Sequence, residues 1–219
     1  PLKFTEKLDS IDPSKDYLFD FDDKSVYFPQ NSFYNAIPLK VENAENELIV
    51  GENHYPLQKP FEIQFQIPDQ DSLKNSQSFI AKLNSKGKPY FFSNQKKEDS
   101  WIGKSKILGR FTLSRDSVAP KIKPLNFKNK QWLSSFNYLR VKLTDDYSGI
   151  KSYRGEINGK WIRFEYEPKN NTLIYDFNDL SFKESLHQLT IEAEDRVGNV
   201  SKLEMEFYRK TEKRGLKLF

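Results

Sequence analysis

Phe61-Glu62-Ile63-Gln64-Phe65-Gln66-Ile67 and Leu189-Thr190-Ile191-Glu192-Ala193-Glu194 decide the fold. Apolar and polar side chains alternate strictly in both. Successive side chains leave a strand on opposite sides, so this pattern marks a strand with one buried face. Similar alternation recurs along the chain, while helical spacing is hard to find. Turn-forming stretches punctuate the runs at 145–149 (DDYSG), Asn158-Gly159, Pro168 to Asn171 and Val197-Gly198-Asn199. Short strands at this spacing predict an all-β sandwich or barrel.

In the second half the reading places strands near 121–126, 138–144, 150–157, 160–166, 172–177, 187–195 and 200–208, a set that suits an immunoglobulin or fibronectin type III-like sandwich. Asn158-Gly159 supplies the two positive-φ positions of a tight hairpin, and Trp161 with Tyr153 is expected to cover one sheet face. The first half reads as strands near 24–28, 36–41, 47–51, 61–67, 77–83, 89–93, 101–107 and 109–113. Pro68 to Ser76 and Ser93 to Ser100 read as surface connections. Ser114 to Pro120 contains no long Gly/Ser tract and reads as a short, tight connection. Two tandem β-sandwich domains are expected, at 1–117 and 118–210, followed by a basic tail at 211–219.

Composition narrows the functional classes. Of 219 residues, 18 are Phe and 11 are Tyr, enough bulky apolar material for packed cores. Cysteine is absent, which excludes disulfides, thiol nucleophiles and thiolate metal sites. No apolar run approaches the roughly 20 residues that span a bilayer, so no transmembrane segment is expected. The opening at Pro1 suggests a processed or excised fragment. The net charge of +4 is located at the C-terminus: Arg209, Lys210, Lys213, Arg214 and Lys217 against Glu212 account for all of it. A neutral remainder argues against a nucleic-acid partner.

Two sets of residues carry a family resemblance. One comprises Tyr27 to Tyr34 (YFPQNSFY), Pro56 to Phe61 (PLQKPF), Leu108 to Leu113 (LGRFTL), Asp116 and Ala119-Pro120. The other comprises Asp145 to Ile150 (DDYSGI), Gly155 with Gly159-Lys160-Trp161, His187 to Ile191 (HQLTI) and Asp195 to Asn199 (DRVGN). Together they resemble the region that follows the catalytic domain in lysostaphin-like (LytM-type) zinc metallopeptidases of the Bacteroidota, which are peptidoglycan endopeptidases. The resemblance implies a noncatalytic accessory module with a catalytic domain N-terminal to it in the parent chain. It also implies a cell-envelope location, whether periplasmic, outer-membrane-associated or secreted, and peptidoglycan or envelope proteins as partners. The alternative is a glycan- or protein-binding module of a surface protein without an associated peptidase.

The zinc ligands of that family are not carried over, since a His-x-x-x-Asp pair and a His-x-His pair are both missing around the chain's two histidines. His187 follows the inward register of Leu189 and Ile191 and reads as a core-edge residue, and His54 reads as a loop residue. No nucleophile elbow or phosphate loop is found, so no catalytic residue and no cofactor is expected. Asp16, Asp20, Asp22 and Asp23 form the densest acidic cluster, hard oxygen ligands of the kind calcium uses, yet the stretch reads as a turn or strand edge. Asp145, Asp146 and Asp195 are expected to meet at one pole. With Gly149, Gly198 and Asn199 they are expected to hold tight turns without a metal. Tyr90, Phe91, Phe92 and Trp101 are the aromatic candidates for a binding face.

Overall fold

The computed structural model describes residues 4–52, 54–67 and 77–210; the connection read at 68–76 and the basic tail at 211–219 lie outside the described residues. The chain is all-β and forms two sandwiches, with one short 3-10 turn at Phe177–Asp179 among the described residues. It divides into two compact units, Pro1–Ser117 and Val118–Phe219.

In the first unit a six-stranded sheet runs in the order β1 (Phe4–Leu8), β4 (Leu39–Ala44), β5 (Glu47–Val50), β11 (Gly109–Arg115), β7 (Ser78–Leu83) and β8 (Pro89–Ser93). A five-stranded sheet packs on it in the order β2 (Tyr17–Asp20), β3 (Lys24–Phe28), β6 (Phe61–Gln66), β10 (Ser100–Ser105) and β9 (Gln95–Lys97). The alternating stretch at 61–67 sits in the middle of this second sheet. Phe61, Ile63 and Phe65 are buried, and Glu62, Gln64 and Gln66 face away from them. Phe61 and Phe28 stack at 4.9 Å, Phe61 meets Phe111 of the opposite sheet edge-on at 6.0 Å, and Phe111 lies 5.2 Å from Phe92. These rings carry the core from one sheet to the other, each geometry within the range aromatic pairs favour. The polar run at 93–100, expected to be a plain connection, contains β9, which pairs with β10 in a hairpin.

The second unit packs a four-stranded sheet, β12 (Lys121–Pro124), β14 (Tyr138–Thr144), β18 (Thr172–Asp176) and β17 (Glu165–Glu167), on a five-stranded one. The latter runs β13 (Gln131–Trp132), β20 (Val200–Tyr208), β19 (Leu186–Asp195), β15 (Ile150–Ile157) and β16 (Lys160–Ile162). Asn158 at φ 52° and Gly159 at φ 72° make the two-residue turn between β15 and β16. That turn pairs Trp161 with Glu156, on the solvent side, while Tyr153 faces the core. Trp161 and Tyr153 therefore lie on opposite faces, which corrects the expectation that they share one. The run read as a single strand at 160–166 is also two strands in two sheets. Ile162 and Phe164 are both buried, and the chain crosses from one sheet to the other between them. Phe164 turns inward at that crossing, with its ring edge-on to Tyr175 at 6.1 Å.

A Cβ added at Gly155 would lie 2.3 Å from the Phe164 ring. Gly155→Ala therefore overpacks a filled site, and the melting transition of the second unit should report a loss of about 1–3 kcal/mol. An unchanged melt would mean the ring is free to retreat. Tyr175 is fully buried, and its hydroxyl meets no hydrogen-bond partner among the described residues. Burial, reinforced by the Asp179 carboxylate, pushes the phenol up to about 12. The folded state thus holds this proton more tightly than the unfolded chain, whose tyrosines titrate near the usual value of about 10. The stabilisation is complete below pH of about 10 and is lost as pH rises through about 12. Alkaline unfolding curves of Tyr175→Phe should show a smaller loss of stability in that window.

Candidate functional site

The loops that open with Asp145 and Asp195 in the second unit converge at one pole. Asp145 follows β14 and Asp195 closes β19, and the Arg196 backbone N–H donates to the Gly149 carbonyl at 3.1 Å, tying one loop to the other. Carboxylate oxygens of Asp145 and Asp195 lie within 4.8 Å of one another. Asp195 is fully buried. Its Oδ1 accepts the backbone N–H groups of Val197 at 2.9 Å and Asn199 at 2.8 Å, and its Oδ2 accepts the Asn199 side-chain amide at 2.7 Å. Asp145 Oδ1 accepts from the backbone of Tyr147 at 3.1 Å and of Gly149 at 2.6 Å. Gly149 at φ 80° and Gly198 at φ 93° occupy the left-handed region that lets each loop fold back on its carboxylate. Asp146 does not join them. It points outward to the Lys121 ammonium on β12, which corrects the expectation that Asp146 meets Asp145 and Asp195.

The four candidate aromatics of the first unit are mostly packing residues. Trp101 is 2% exposed, with the Lys96 ammonium 4.4 Å over its ring. Phe92 fills the space over Gly103, where a Cβ would sit 2.4 Å from its ring, and Phe91 stacks on the buried Phe79 at 5.4 Å. Tyr90 alone of the four is largely exposed, on the edge strand β8. They do not form a common face, because β8 alternates and Trp101 belongs to the inward row of the other sheet.

The two histidines sit in unlike settings. His187 is buried between Phe182 at 4.7 Å and Phe207 at 5.3 Å. The Gln188 N–H donates to Asn158 Oδ1 at 2.8 Å, which turns the Asn158 amide nitrogen toward His187 Nδ1 at 2.9 Å. Nδ1 is thereby the acceptor, and Nε2–H donates to the carbonyls of Glu184 and Arg209. Every polar position of the ring is used. His54 is an exposed turn residue against Tyr55, 3.2 Å from Glu52. Asp16 and Asp23 sit at opposite ends of the β2–β3 hairpin, so the acidic run at 16–23 does not gather into one site. Asp16 accepts from the Gln30 N–H and the Tyr27 hydroxyl, and Asp23 pairs with Lys24.

With both sandwiches in view, comparisons with known proteins can be placed on them. Residues 10–116 match the family model of the Zu5-like domain. The match falls entirely on the first unit. Among solved structures, the fibronectin(III)-like modules of Clostridium thermocellum CbhA align over 69% of this chain and 86% of theirs, with 13% identity and a TM-score of 0.32. No curated protein matches the chain. Among the described residues no helix is long and apolar enough to cross a membrane.

Inside the Zu5-like segment are two lysines that the sequence reading passed over. Lys24 shares the inward register of Val26 and Phe28 and is 5% exposed; its ammonium donates to Asp23 and to Asn43 Oδ1, each at 2.8 Å, and lies 3.3 Å from the Ala44 carbonyl. It thereby ties β3 of one sheet to the β4–β5 hairpin of the other. Lys82 on β7 donates to the Ile107 carbonyl at 3.0 Å, and burial pushes its ammonium below the usual lysine range. A polar groove of about 790 Å³ opens beside Lys24, rimmed by Asp23, Glu45, Glu98 and Asp99.

Three hydrogen bonds tie the Asp195 carboxylate to its own loop. Asp195→Ala should lower the stability of the second unit by about 1–3 kcal/mol, since buried donors lose their acceptor. The surface change Asp146→Ala should stay within about 0.5 kcal/mol. Melting curves in millimolar calcium and in chelator should coincide. A calcium-dependent rise that disappears in Asp195→Ala would instead make this pole a metal site.

Proposed function

We propose that this chain is the noncatalytic accessory region of a larger cell-envelope peptidase, two β-sandwich modules that hold a tethered catalytic domain near its cell-wall substrate. The contribution to hydrolysis is effective concentration: a tethered catalyst meets an insoluble substrate far more often than a free one. The observation that carries the reading is the commitment of the chain's polar groups to structure. His187 has both ring nitrogens engaged, Asp195 accepts three hydrogen bonds from its own turn, and Lys24 is clasped by its acceptors. General acid–base chemistry needs a group with a free position facing substrate, whereas these side chains are engaged in holding the fold. The order of motifs from Tyr27 to Asn199 supports a LytM-type zinc peptidase as the parent.

Cell-wall sedimentation and turbidity assays test this together. The purified chain should co-sediment with insoluble peptidoglycan and should not clear its turbidity with or without zinc. Zinc-dependent clearing by the chain alone would overturn the noncatalytic reading, and failure to co-sediment would overturn the targeting role.

A further inference from the structure

A cleft of about 430 Å³ opens beside the Asp145 and Asp195 loops of the second unit, and the turn contacts do not fill it. That volume lies within the range of about 300–1,000 Å³ typical of small-ligand sites. Tyr153 from β15 and Tyr166 from the edge strand β17 wall it, with ring centroids 6.3 Å apart and planes at 44°. The Tyr166 hydroxyl donates to Asn171 Oδ1 at 2.8 Å. This bond anchors the exposed ring to the turn that follows its own strand, so the wall is set before any ligand arrives. Asn171, Arg196 and Asp145 line the same cleft, bringing an amide, a guanidinium and a carboxylate to the aromatic wall.

Planar polar groups beside aromatic rings match one ligand chemistry well. A pyranose has an apolar C–H face that packs on an aromatic ring, and a rim of hydroxyls that both donate and accept hydrogen bonds. Amide, guanidinium and carboxylate groups supply the complementary donors and acceptors in fixed planes. A phosphorylated ligand fits less well. Of the two cations lining the cleft, Lys151 is already paired with Glu194 at 2.7 Å, and the Asp145 carboxylate lies in the same lining.

We propose that this cleft binds a saccharide, specifically a β-linked chain of N-acetylated amino sugars. The choice of amino sugar rests on the cell-wall reading above; the choice of a saccharide rests on the cleft itself.

Titration of the full chain with the tetramer of N-acetylglucosamine, followed by NMR, should move the amide resonances of Tyr166 and Asn171. Tyr166→Ala should weaken that binding by at least about tenfold. Tyr166→Phe keeps the ring, loses the anchor to Asn171, and should give a smaller loss. Trp132→Ala, on the outer face at the far end of β20, should leave the affinity unchanged and serves as the control. Tyr166 stands exposed on an edge strand, so melting curves of both Tyr166 variants should stay close to that of the parent. Absence of shifts with the tetramer, or shifts that survive in a folded Tyr166→Ala chain, would overturn the proposal. Response to a glucose tetramer alone would overturn the amino-sugar assignment. Sedimentation separates the two readings. If the parent chain co-sediments with peptidoglycan but the tetramer moves no resonances, the cleft proposal falls and targeting stands. If the tetramer binds but the wall does not, targeting falls and the cleft stands.

Discussion

In both units a phenylalanine ring rests where a glycine has no side chain. Phe92 of the six-stranded sheet covers Gly103 of the five-stranded sheet, and Phe164 of the crossing segment covers Gly155 on β15, at distances of 2.4 and 2.3 Å from where a Cβ would stand. Packed sheets lie about 10 Å apart, and their side chains must interdigitate without gaps or overlap. A full ring against a bare backbone is one solution to that constraint. Much of the rest follows from it. Phe92 is taken up by packing and is unavailable to a ligand. Phe164, drawn inward, pulls the chain from one sheet to the other, so that Tyr166, two residues later, emerges on the edge strand where it walls the cleft.

The parts of this arrangement that alternation encodes were legible beforehand. Phe61, Ile63 and Phe65, and Leu189, Ile191 and Ala193, face their cores as a period of two requires. Alternation also held the clue to Lys24, which stands in the inward register with Val26 and Phe28 and which the sequence reading did not single out. The Trp161 and Tyr153 error had another origin. Once a two-residue turn is accepted at Asn158-Gly159, Ile157 must face Lys160 and Glu156 must face Trp161, so the face of Trp161 was fixed by counting. The crossing at 163–164 was not legible in this way, because buried residues on both sides read as one continuous strand. The ring of Phe164 rests on Gly155, nine residues earlier in sequence and on the opposite strand of the hairpin.

The acidic residues show how the same side chain serves unlike ends. Asp195 is buried and bonded to its own loop, Asp146 is exposed and paired across to β12, and Asp145 holds its turn through one oxygen while lining the cleft. Composition cannot separate these roles. What separates them is position in the loop. The carboxylate that starts an Asx-type turn faces its own backbone N–H groups, and its neighbour, one residue further into the bend, faces the other way.

Rigid turns and an open cleft at one pole are linked by the thermodynamics of binding. Ordering a mobile side chain on association costs about 0.5–1.5 kcal/mol, and a loop costs more, so a shallow site gains affinity chiefly from groups already in place. Here the Arg196 N–H is tied to Gly149, Gly149 to Asp145, and Tyr166 to Asn171. Each of these bonds is made in the free protein and remains available in a complex. The bonds that Asp145 and Asp195 make to their own turns therefore hold the backbone and its neighbours where the proposed ligand would meet them.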